Sequence, residues 1–230
     1  MNLKVVAVVP AAGSGKRLGL KKRLKKPFVL LGGRPLISYA LAALESSKVI
    51  DGIVVAVEKS NIGRLKALIK RYGFAKVTDI VIGGSTRFES VRNCLKRVGP
   101  SFDIVLIHDG ARPFLDKTLI EEAVSLAKKH GACVTAVPES DTVKVVERDS
   151  FVKRTIDRRF ICRAQTPQAF RRELINKAYA VKGGSGITDD SSLVEKLGMP
   201  VKISKGSYRN IKITTKVDLK FAEVLLCGSV

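Results

Sequence analysis

Short apolar runs alternate along this chain with longer stretches in which apolar positions recur every three or four residues. The short runs predict strands at 4–9, 53–57, 78–82, 104–107 and 133–137. Leu36, Ile37, Ala40, Leu41 and Leu44 share one helical face and predict a helix over 35–46, with Pro35 in the first helical position, where its missing N–H is not needed. Further helices are predicted at 61–72, at 87–98 and from Asp116 to about 129. Thr86 and Glu89 have capping-box spacing, and Asp116 suits an N-cap. Later come helices at 171–181 and 190–197, a strand at 201–204 and a last helix from about 216. The alternation predicts an α/β fold: a Rossmann-like, doubly wound, mostly parallel sheet with helices on both faces, the whole of 1–230 forming one domain. Ligands of such sheets sit beyond the carboxyl ends of the strands.

One stretch breaks the alternation. Two alternating segments, 142–146 and 151–155, flank a polar turn at 147–150 and predict a β-hairpin arm over about 141–156. Its free edges would be buried by pairing with a second subunit, so a homodimer is expected. A glycine-rich run at 183–186 reads as a flexible loop.

Composition narrows the class. With 230 residues, 45% of them apolar and 27% charged, the chain suits a globular protein. No apolar run reaches the length of a membrane span, and the one at 5–9 leads straight into Pro10 and a glycine loop, which suits a first strand and not a signal peptide. The 4 cysteines, Cys94, Cys133, Cys162 and Cys227, lie far apart without metal-binding spacing, so reduced thiols and a cytoplasmic location are expected. The net charge of +21 raises the question of nucleic acid. Apart from a cluster at Lys21, Lys22, Arg23, Lys25 and Lys26 the basic residues are spread out and aromatics are few. A lysine-rich surface of the heat-adapted kind, with Gln only at 165 and 168, accounts for the charge better than a nucleic-acid partner.

Several segments could carry chemistry. After the first strand comes PAAGSGKR, whose small residues let a backbone approach phosphate oxygens. It is not a P-loop, because Pro10 stands where the first glycine belongs and Arg17 replaces the magnesium-binding hydroxyl. Nor is it a dinucleotide fingerprint, because Leu18 occupies the place of the third glycine. GGSTRFES at 83–90 ends another strand and opens a helix. HDGARP follows the strand at 104–107, where Asp109 is placed to hold magnesium and Arg112 to meet an anion, while His108 suits a structural role. QTPQ at 165–168, TDDSS at 188–192 and NIKIT at 210–214 are each ambiguous alone: Thr188 and Asp189 suit helix caps, and Lys212 suits a solvent-facing strand residue.

Taken in order, PAAGSGKR, GGSTRFESV, HDGARP, DTVK, QTPQ, TDDSS and NIKIT resemble the 2-C-methyl-D-erythritol 4-phosphate cytidylyltransferase family, over essentially the whole chain. The resemblance implies transfer of CMP from CTP to a polyol phosphate, with magnesium, in a homodimer. It implies that Ala11, Ala12, Gly13, Gly15 and Arg17 wrap the triphosphate, and that Gly83, Gly84 and Ser90 read the cytosine. Gly110 and Ala111 lie by the ribose, and Asp109 takes the metal. Arg112, Thr142, Arg158, Thr166 and Thr188 take the acceptor, with Thr142 and Arg158 reaching a neighbouring subunit's site. Arg17, Lys26 and Lys212 are the implied catalytic cations, with Lys25 as the alternative to Lys26 in a block that departs from the family pattern. A relative using ribitol 5-phosphate would share the fold and the nucleotide site, so that acceptor stays open.

Overall fold

The structure, a computed structural model, describes residues 3–13, 15–19, 25–180 and 187–228. The basic residues Lys21, Lys22 and Arg23 and the expected loop at 183–186 lie outside the described residues. In chain order the strands are β1 (Val5–Pro10), β2 (Leu30–Leu31), β3 (Arg34–Pro35), β4 (Gly52–Val57), β5 (Val77–Ile82), β6 (Ile104–Ile107), β7 (Ala132–Pro138), β8 (Lys144–Val146), β9 (Val152–Thr155), β10 (Cys162–Arg171) and β11 (Lys202–Lys205). The helices are α1 (Leu36–Ser46), α2 (Ile62–Tyr72), α3 (Arg87–Leu95), α4 (Lys117–His130), α5 (Arg172–Tyr179), α6 (Ser191–Glu195) and α7 (Lys216–Leu226).

β1 shows why this sequence makes a layered α/β fold. Val5, Ala7 and Val9 point into one core with Ile37, Leu41, Leu65, Ile120 and Val124 from α1, α2 and α4. Val6 and Val8 point into the other, with Phe88, Val91, Ile175 and Val194 from α3, α5 and α6. Alternate side chains of a strand face opposite sides, so a strand covered on both faces must be apolar throughout. Each such valine, once buried, contributes roughly 1.5–3 kcal/mol. The helix starts follow local chemistry: Thr86 and Glu89 form the expected capping box on α3, and Asp116 accepts from Leu119 N at 2.9 Å to begin α4. Pro35 stands one residue before α1, where it pairs with Leu30 in a short ribbon instead of opening the helix.

The main sheet has 7 strands in the order β11-β7-β10-β6-β1-β4-β5. β1 pairs in parallel with β4 on one side and with β6 on the other, so the winding reverses between β1 and β6. A crevice opens there beyond the strand ends. β10 is the antiparallel member, between β6 and β7. The sequence pattern predicts no strand there, because Cys162–Gln168 is polar and holds Pro167, which lacks a donor for the ladder. The register against β7 shifts between Ala164 and Gln168, which accommodates the proline. The alternating run at 210–214 is no strand; it crosses as an irregular segment, tied by Ile213 N to Ala111 O at 2.9 Å. β8 and β9 pair antiparallel as the expected hairpin, apart from the main sheet.

Candidate active site

At the reversal point lies a cavity of about 390 Å³. Four strand ends supply its walls. β1 runs out through Pro10, Ala11, Ala12 and Gly13, β4 through Glu58, β5 into the start of α3, and β6 into Asp109, Gly110 and Ala111. Backbone bonds continue past the regular ladder, with Ala11 N donating to Ala56 O at 2.8 Å and His108 N to Val8 O at 2.9 Å. The wall is therefore as rigid as the sheet. Gly83 is required by close approach: a Cβ there would stand 2.2 Å from that of Ala12. Gly84 N donates to Ser90 Oγ, which itself donates to Thr86 O, so the turn before α3 is closed by its own side chain.

Asp109 is the electrostatic centre of the cavity. Its Oδ1 accepts from Arg87 Nε at 2.8 Å and its Oδ2 lies 2.7 Å from Lys212 Nζ. Burial pushes the carboxyl up, but the adjacent charges of Arg87 and Lys212 outweigh it and hold the group far below the usual carboxylate range. Behind it the backbone is fixed by a relay. His108 Nε2 faces Arg112 O at 3.1 Å, which makes it the donor nitrogen; Nδ1 then accepts from the Thr166 hydroxyl, whose oxygen accepts from Asp109 N at 3.0 Å. Burial lowers the His108 pKa to about 4, so the ring is neutral at pH 7. It is a structural histidine, as its sequence context suggests.

The cations are set around this centre. Among the described residues Arg17, Lys26, Arg87 and Lys212 line the cavity against Glu58 and Asp109 alone, so that lining is cation-rich. Burial, then the neighbouring charge of Lys212, lowers the Lys26 ammonium to about 8, with Asp109 pulling the other way. Lys25 is turned to Glu58 at 2.9 Å and does not line the cavity, which separates it from Lys26. Among the described residues no cluster of His, Cys, Asp or Glu could cage a metal. The donor set fits magnesium carried in with phosphates: one hard carboxylate, Asp109, with the remaining ligands from the substrate and water.

The structure brings Ala11, Ala12, Gly13, Arg17, Lys26, Gly84, Ser90, Asp109, Gly110, Ala111 and Lys212 to one cavity. Gly83 supports its wall, and Gly15 takes a left-handed turn at φ 70° within the loop. Thr166 lies buried behind Asp109. Arg112 is buried too, with Nη1 donating to Asn210 O at 2.7 Å, so it braces the segment carrying Lys212 and does not line the cavity. Thr142, Arg158 and Thr188 are exposed and not gathered here; Arg158 is held by Ser140 O at the base of the arm. Sequence reasoning missed Arg87. Its one signal was a cation in the first turn of a capped helix, where the helix dipole favours an acid.

Glycine-bordered strand ends at a reversal point, with cations converging on one carboxylate, define a nucleotide-binding α/β protein equipped to move a phosphoryl-linked group, that is, a nucleotidyltransferase. A family model described as "IspD: 2-C-methyl-D-erythritol 4-phosphate cytidylyltransferase" matches residues 5–227, and the chain belongs to that family. A protein of that name from Dehalococcoides mccartyi is 44% identical over 98% of this chain and 97% of its own. Another from Pelotomaculum thermopropionicum is 45% identical over 97% and 94%. The crystal structure of 4-diphosphocytidyl-2C-methyl-D-erythritol synthase from Anaerococcus prevotii superposes with a TM-score of 0.86 at 33% identity, covering 98% of this chain and 97% of that one.

Proposed function

We propose that this chain joins CTP to 2-C-methyl-D-erythritol 4-phosphate, giving 4-diphosphocytidyl-2-C-methyl-D-erythritol and pyrophosphate for non-mevalonate isoprenoid synthesis. The observation that carries this reading is the meeting of Arg17, Lys26 and Lys212 with Asp109 at a glycine-lined strand end. Two polyanions have to be brought together there. An oxygen of the acceptor phosphate attacks the α-phosphorus of CTP in line; the bond to the α–β bridging oxygen breaks, and its electron pair leaves on pyrophosphate. A phosphate ester is already a nucleophile at neutral pH, so no strong general base is needed. Positioning and charge neutralisation dominate.

Arg17 and Lys26 bind the triphosphate and stabilise the charge that builds on the α-phosphate, with Ala11, Ala12, Gly13 and Gly15 letting the loop come close. Gly83, Gly84 and Ser90 face the cytosine, and Gly110 and Ala111 the ribose. Lys212, paired with Asp109 in the free protein, is placed to transfer to the incoming phosphate. Asp109 would hold magnesium, which supplies further neutralisation of the phosphate oxygens. On the acceptor side stand Thr166, Thr188 and, bracing Lys212, Arg112. Thr142 and Arg158 complete the acceptor site of a second copy in a homodimer, reached by the arm. A cytoplasmic location is part of this reading, resting on 4 cysteines set far apart in the sequence.

The test is pyrophosphate release by the purified protein with CTP and magnesium, adding methylerythritol phosphate or ribitol 5-phosphate in parallel. Turnover with the first alone is expected. Turnover with the second alone would keep the nucleotide site and overturn the acceptor, and silence with both would overturn the reading.

A further inference from the structure

Arg87 lines the cavity, yet its guanidinium is spent elsewhere. Nε donates to Asp109 Oδ1 at 2.8 Å, while Nη1 and Nη2 bond both oxygens of Asp190 at 2.8 and 2.6 Å. Asp190 is fully buried and also accepts from the Tyr179 hydroxyl. The Tyr179 ring stacks on Phe88, the residue after Arg87, with centroids 4.8 Å apart. The Asp190 end of the fork is therefore fixed against the core of α3, α5 and α6, and the Asp109 end against the close of β6. Helix formation does not explain Arg87: it is the first residue of α3, where a cation opposes the helix dipole. A guanidinium held by two carboxylates cannot swing out to follow a phosphate. What it can do is fix the nearer carboxylate. With Oδ1 pinned, Oδ2 is the oxygen presented to Lys212.

We propose that Arg87 is a positioning residue: backed by Asp190, it locks the Asp109 carboxylate so that Oδ2 alone is offered to Lys212 and to the phosphate end of the cavity. This rests on the reading of Asp109 and Lys212 given above. It assigns a purpose to Asp190, which does not itself line the cavity, and it links three distant segments, since Arg87 is 22 residues from Asp109 and 103 from Asp190. Lysine could supply the charge at this position but not the planar fork that spans both acids.

The test uses the full chain with Arg87→Lys, Asp190→Asn and the double variant, and Arg97→Met, which removes an exposed ion pair to Asp79, as a control. Turnover, KM for CTP, half-saturating magnesium and Mn²⁺ binding by electron paramagnetic resonance, with and without CTP, are measured well below each variant's Tm. Arg87→Lys is expected to lower kcat about 50-fold and Asp190→Asn about tenfold, with KM for CTP within about twofold of wild type. The double variant falls short of the product of the two, because both act through one carboxylate. Half-saturating magnesium rises, and Mn²⁺ binds the CTP complex more weakly, in both single variants. Lowered Tm with wild-type kcat and metal response would overturn the proposal in favour of a purely structural ion pair. A raised KM for CTP at unchanged kcat would overturn it in favour of direct nucleotide binding. If the wild type shows no turnover, the proposed function fails while Mn²⁺ still tests the lock; wild type binding no Mn²⁺ with CTP would overturn both.

Discussion

The cavity and the arm are built in different ways. Around the cavity the glycine-bordered wall segments continue sheet strands, held by backbone hydrogen bonds such as Ala11 N to Ala56 O and Gly83 N to Val57 O, while Arg17 and Lys26 come from short helical turns and Lys212 from an irregular segment. The residues proposed above for the acceptor, Thr142 and Arg158, stand on or beside the arm, exposed, and belong to no part of the main sheet. The arm also shows apolar side chains to solvent, Val146, Phe151 and Val152, and Phe160 in the turn that follows it is 83% exposed. Exposed apolar side chains on a hairpin suit contact with a second surface, in line with the homodimer proposed above. One chain can build a cavity at its own strand ends, whereas residues on a protruding arm have no wall of their own chain around them, which is why the reading above gives them to a second copy.

That contrast can be broken or sharpened by experiment. Lys26→Ala should cut turnover by about 100-fold, or about 3 kcal/mol of transition-state stabilisation, with self-association unchanged from wild type. Near-normal turnover in steady-state assays would remove Lys26 from the chemistry. Arg158→Ala should raise KM for the polyol phosphate about 30-fold and leave KM for CTP alone; equal effects on both would erase the division between cavity and arm. Phe151→Asp should weaken self-association about tenfold in sedimentation equilibrium without changing CTP affinity, and an unchanged dimer would free the arm of its assigned role.

The smallest effect concerns pH. The free-state Lys26 pKa is about 8, and a bound triphosphate favours the charged ammonium, so binding takes up a proton once pH exceeds that value. CTP affinity should therefore be full at low pH and fall as pH rises, by about twofold at about pH 8 and about fourfold at about pH 8.5. Lys26→Met should flatten this profile. A flat wild-type profile would mean that Lys26 is not the group whose charge meets the nucleotide.

Much of the nucleotide side is legible along the chain because its rules are local. Apolar runs become buried strands, Thr86 with Glu89 caps α3, and small residues at a strand end permit close approach. β10 escaped because its burial is dictated by neighbours on both sides and not by its own polar, proline-containing sequence. Lys212 read as a solvent-facing strand residue from its alternating context; in the fold, Asn210 Nδ2 bonding Thr166 O and Ile213 N bonding Ala111 O aim that segment at Asp109.

The sequence by itself determined the layered α/β architecture, the glycine-lined strand ends, the arm and the acidic residue at the end of β6, since each follows from periodicity, capping or chain order over a few residues. Only the tertiary structure decided which cation faces the cavity, Lys26 or Lys25, and that Arg87, Asp109, Asp190 and Lys212 form one chain of alternating charge. Those outcomes depend on side chains meeting across long separations in a low-dielectric interior. There an ion pair is held or refused by the desolvation and geometry of all its neighbours, and no local pattern encodes that.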